Sequence, residues 1–242
     1  MTKQKKIKFL IIYVIAFYAL WAFNELLVFV KLNLIIENEI AFAFIESGII
    51  KNLVWTLPAI FLISYFKSDV YINLKEMFSA KVTWIKYLPL FIIFTACIVV
   101  SAIFQTGKLE IASSFGIDEL IVVLFVGLTE EMVFRGWLLN ATINEDKKWK
   151  YILINAIMFL AIHFPIWISN GIFISSFTSL GFLQIIILSI IFSCTFIKSK
   201  SILVPIALHM YWDLLIFLLI GLINSKFNRR AVLLNGKRNK EK

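Results

Sequence analysis

Residues 118–140 read DELIVVLFVGLTEEMVFRGWLLN. The stretch is long enough to cross a bilayer, which takes about 20 mostly apolar residues, yet Glu130, Glu131 and Arg135 fall in its second half. Two later apolar segments carry the same anomaly, FLAIH at 159–163 and HMYWD at 209–213. The chain has two histidines, and these are His163 and His209. A charge near the centre of a bilayer costs roughly 2.5–3.5 kcal/mol on insertion scales. Such groups persist when they are paired or functional.

The rest of the composition agrees with a lipid setting. Of 242 residues, 61% are hydrophobic and 16% charged, with a mean hydropathy of +0.90. Too few polar residues remain to cover a water-facing surface, so lipid is the expected outer solvent. The net charge of +9 comes largely from the two ends and the connecting loops. That placement reads as membrane orientation and attraction to anionic headgroups, and not as a nucleic-acid surface. Cys97 and Cys194 each lie within an apolar run and read as small buried hydrophobes, with no disulfide or metal-ligand spacing. The apolar stretch 9–23 follows a basic start without a small-residue cleavage site, and reads as an uncleaved first span.

The expected fold is all-α, a polytopic transmembrane bundle of about seven spans, with six to eight allowed. They fall near 9–30, 49–66, 87–105, 118–140, 150–168, 173–197 and 201–223. One membrane-embedded domain would occupy 1–225, and 226–242 would form a basic tail of cytoplasmic type. Loop charges alternate as the positive-inside rule asks until the end of the chain. Seven spans then place the most basic segment outside, unless a segment such as 173–197 does not fully cross.

Helical spacing organises the charged motifs. Glu131 and Arg135 are i and i+4 and share a face, while Glu130 lies about 100° around the axis. One carboxylate is thereby neutralised and the other is left to face a cavity. A purely structural clamp explains the Glu131–Arg135 pair but not Glu130. Phe159 and His163 repeat the i, i+4 spacing, and Pro165 is expected to end or bend that helix near His163. His209 and Asp213 make a third pair, with Pro205 one turn earlier, where it could open the backbone. They could be an interhelical polar clasp, or donors to a developing oxyanion. The chain has no His-Glu-x-x-His helix, no Gly-x-Ser-x-Gly elbow and no Gly-rich phosphate loop.

Glu-Glu-x-x-x-Arg, Phe-x-x-x-His and His-x-x-x-Asp, in this order on successive apolar segments, resemble the CAAX-processing and bacteriocin-processing (Abi-type) intramembrane endopeptidases. The run 191–209 also resembles the family's approach to its last motif, and the likeness covers about 118–216. The resemblance implies a peptide-bond hydrolase in the cell membrane acting on a peptide or membrane protein. In it Glu130 activates water with help from His163, His209 and Asp213 stabilise the oxyanion, and Glu131, Arg135 and Phe159 give support. Asp213 stands where the prenyl-protein branch has asparagine. An ionised aspartate would repel an oxyanion, so it would act as a neutral acid or by orienting His209.

No metal and no other cofactor is required by this scheme. The alternative is zinc held by Glu130, His163 and His209. Competing functions are a non-catalytic membrane scaffold and a proton-coupled transporter. The biological role implied is maturation of a peptide or protein, or self-immunity to a bacteriocin.

Overall fold

The computed structural model describes residues 3–221, and its regular elements are all helical, with no strand among the described residues. The basic tail at 226–242 lies outside the described residues. Among the described residues five helices are long and apolar enough to cross a membrane: Lys6–Ile35, Glu39–Tyr65, Leu88–Thr106, Glu145–Ser169 and Gly181–Ser199. The protein is a multi-pass membrane protein.

The remaining two expected spans are also helical but differ in kind. Leu203–Leu219 has 17 residues, about 26 Å of rise. The other, which we call the glutamate helix, starts as Ile117–Glu131 and continues through a π-helical stretch, Met132–Leu139, to Asn140–Thr142. Every residue from Thr129 to Ala141 is buried. Its charges therefore meet protein, which is why a segment too polar for lipid still belongs to the bundle.

Three expectations are corrected. The region 31–48 is not a loop, because the first two spans extend through it to leave only Ile36, Glu37 and Asn38 as the turn, with Asn38 capping the second helix. The segment 173–197 is not one helix: Phe173–Thr178 stops, Leu180 takes a left-handed conformation (φ 59°), and Gly181–Ser199 begins anew. Cys97 is exposed and Cys194 half-buried. In lipid a small apolar side chain gains little by turning inward, because the tails are as apolar as the core.

Prolines mark where the helices change character. Pro58 lies just after a π-helical stretch, Asn52–Thr56, where the missing N–H and ring clash disfavour ordinary i→i+4 bonding. Pro165 sits in the first turn of Phe164–Ser169, after Lys148–Ala161 has stopped, so the helix breaks at Ile162 and His163. Trp21 Nε1 donates to the Ile162 carbonyl in that break (3.2 Å), tying the first span to it. Pro205 does not open its helix. It is the third residue of Leu203–Leu219, within the first turn, where backbone N–H groups have no intrahelical acceptor anyway.

Two apolar cores flank the glutamate helix. One gathers aromatic side chains from the first two spans, including Phe17, Trp21 and Trp55, around Phe134 and Trp137. The other joins Leu88–Thr106, Gly181–Ser199 and Leu203–Leu219 through Phe94, Phe192, Leu208 and Trp212. Gly127 brings the glutamate helix and Leu203–Leu219 into close contact. A Cβ there would lie 2.5 Å from Met210 Cγ and 3.2 Å from Met210 N.

Candidate active site

Adjacent glutamates on one helix point to different surroundings. Glu131 is fully buried. Its Oε1 accepts from Arg135 Nη1 at 2.9 Å and from His209 Nδ1 at 2.8 Å. Arg135, also fully buried, donates through Nη2 to the Ser189 carbonyl (3.0 Å) and hydroxyl (2.6 Å). Its guanidinium lies over the Phe159 ring, 4.5 Å from the centroid, and 5.4 Å from that of Phe192. Three helices are thereby tied at one point: the glutamate helix, Gly181–Ser199 and Leu203–Leu219.

The same cluster fixes His209. With Nδ1–H committed to Glu131, the ring stacks on Phe192 (5.0 Å between centroids, 24°) and meets Phe159 at a steep angle (5.9 Å, 73°). Its Nε2 is left facing Asp213 Oδ2 at 3.5 Å and Glu130 Oε2 at 3.9 Å. An unprotonated Nε2 would present its lone pair to two carboxylates.

His163 sits at the helix break. Its Nδ1–H donates to the Phe159 carbonyl at 2.7 Å, one turn earlier, which commits that nitrogen and leaves Nε2 available. Phe159 thus serves the site twice, through its carbonyl to His163 and through its ring to Arg135 and His209.

Glu130, His163 and Asp213 line one cavity of about 270 Å³. Among the described residues Glu130 has no hydrogen-bond partner, its nearest charged neighbour being His209. Of the residues singled out from the sequence, Glu130, His163 and Asp213 line the cavity, while His209, Phe159, Glu131 and Arg135 pack behind its wall. No three His, Cys, Asp or Glu side chains among the described residues converge closely enough to hold a metal ion.

Sequence reasoning missed several supporting groups. Ser189 binds Arg135, and Asn155 donates to the Phe134 carbonyl (2.9 Å) while accepting from Ser193 (3.4 Å). Ser189 and Ser193 are i and i+4 in an apolar run, a spacing that could have marked a buried polar stripe. Lys51 was missed too. It is 6% exposed and lines the cavity, but it occurs two residues inside the expected start of a span, where a lysine reads as an interface anchor.

Residues 113–215 match the model of a family described as Rce1-like, type II CAAX prenyl endopeptidase. All three motifs lie inside that match. No curated protein and no solved structure matches the chain.

Proposed function

We propose, from the match of residues 113–215 to the model of the Rce1-like endopeptidase family, that this protein is an intramembrane endopeptidase. The observation that carries the reading is the division of labour between adjacent glutamates. Glu131 is held by Arg135 and His209, while Glu130 opens with His163 onto the cavity.

In this scheme a water molecule lies between Glu130 and the Nε2 of His163. Glu130 removes a proton as the water oxygen bonds to the scissile carbonyl carbon, and the carbonyl oxygen takes up negative charge. His209 Nε2–H donates to that oxyanion, its ring held by the Nδ1–H···Glu131 bond. Asp213, 3.5 Å from Nε2, acts by orienting the His209 N–H. Collapse of the intermediate breaks the C–N bond, and Glu130 returns its proton to the leaving amine. No metal or cofactor takes part, so a chelator should leave activity in place.

The substrate is a peptide or membrane protein in the cell membrane, cut during maturation or in self-protection against a bacteriocin. The test compares membrane and secreted peptides of the host carrying wild-type protein or Glu130→Ala at matched expression. A discrete set of cleaved ends should disappear in Glu130→Ala and again in His163→Ala. Unchanged peptides and phenotype would remove the catalytic reading and leave a membrane scaffold.

A further inference from the structure

The wall of the cavity opposite the three motifs is built by the first two spans, outside the family match. Lys51 belongs to this wall. Its backbone N–H bonds to the Glu46 carbonyl, an i→i+5 contact at the end of the π-helical stretch Phe44–Ile50. Glu46, Ser47, Lys51 and Trp55 all line the cavity. The Lys51 ammonium rests 5.0 Å from the Trp21 ring centroid and 5.8 Å from that of Trp55.

Among the described residues no carboxylate lies within ion-pair distance of this ammonium. Its hold on two indole faces orients the charge but takes none of its three N–H donors. Glu130 and Asp213 meanwhile approach His209. A nine-tenths-buried cation with no anion in direct contact is unfavourable unless something anionic completes it. Lys51 lines the same cavity as Glu130, His163 and Asp213, so whatever it binds lies beside the reacting groups.

We propose that Lys51 is a specificity-determining residue that anchors a carboxylate of the bound peptide, either its free C-terminus or an acidic side chain. The proposal rests on the peptidase reading for the nature of the ligand. Trp21 and Trp55 pre-orient the ammonium and shield it from competing water, so the carboxylate fixes the register in which the peptide crosses Glu130.

The experiment uses full-length protein in nanodiscs carrying Glu130→Gln, so that binding is read without hydrolysis. The probes are a labelled ten-residue apolar peptide with a free C-terminal carboxylate, its C-terminal amide, and that amide with one internal glutamate. A carboxylate-bearing peptide should bind about tenfold or more tightly than the plain amide. The preference should vanish in Lys51→Met and return in Lys51→Arg, with binding of the plain amide unchanged throughout. A preference for the free acid assigns the C-terminus, and one for the glutamate peptide assigns a side chain. Equal binding of all three peptides, or a preference that survives Lys51→Met, overturns the proposal. With Glu130 restored, loss of Lys51 should raise KM for the carboxylate peptide and leave kcat. An equal fall in kcat for acid and amide would instead make Lys51 part of the reaction's electrostatics, and would also overturn it. Carboxylate-dependent binding without cleavage by the wild-type protein would sink the peptidase reading alone.

Discussion

The two sides of the glutamate helix treat charge in opposite ways. Behind the cavity wall, Glu131, Arg135, Ser189 and His209 form a closed cluster in which each charge meets a partner at 2.6–3.0 Å. On the cavity side, Glu130, His163, Asp213 and Lys51 share a space of about 270 Å³. There Glu130 and Asp213 approach His209 at the longer distances of 3.9 and 3.5 Å. The difference teaches what each set is for. A buried charge pair held at hydrogen-bond distance supplies geometry, and removing one partner leaves the other charge exposed to low dielectric. A buried group left open is useful to a ligand or a reacting atom.

That contrast can be broken at four places. Glu130→Gln should lower peptide cleavage about 10²–10⁴-fold, the range for a lost general base, and leave thermal unfolding in detergent nearly unchanged. A large loss of stability would mean that Glu130 belongs to the closed cluster. Arg135→Met should do the reverse. It leaves Glu131 buried with His209 alone, and should destabilise the fold by about 3–5 kcal/mol, read as a lower midpoint in thermal or denaturant unfolding. Activity there should fall because folded protein is lost.

Gly127→Ala tests whether the two sides depend on one helix contact. The added methyl meets Met210, and the glutamate helix must shift relative to the helix carrying His209. Catalysis is sensitive to such displacement, and a 1 Å misplacement costs about 10²-fold. Turnover should therefore fall far more than the unfolding midpoint does. Ser189→Ala has the smallest expected effect. It removes the 2.6 Å hydroxyl contact while the Ser189 carbonyl still accepts from Arg135. A stability loss of about 1 kcal/mol, with cleavage retained, is expected.

Much of this arrangement was legible in the sequence. Hydropathy placed the helices, and the i, i+4 spacing of Glu131 and Arg135 matched the ion pair seen at 2.9 Å. Pro165 marked the break that presents His163. Other features were illegible for definite reasons. The stop at Leu180 had a local signal that length overrode: Ser175, Ser176, Thr178, Ser179 and Gly181 interrupt the run, but the flanking apolar residues still add up to one span's length. Lys51 reads as an interface residue because lysine is common at span ends, and only the extension of its helix back to Glu39 places it inside.

The sequence by itself determined that this is a helical membrane protein, which residues carry charge into it, and which of them share a helical face. Those properties follow from local spacing and from the cost of polar groups in lipid. Only the tertiary structure decided that Glu131 holds His209 as well as Arg135, and that Lys51 faces the same cavity as Glu130. These contacts join residues 78 or more positions apart, and the packing of one helix against another fixes them. No periodicity within a single segment records that packing.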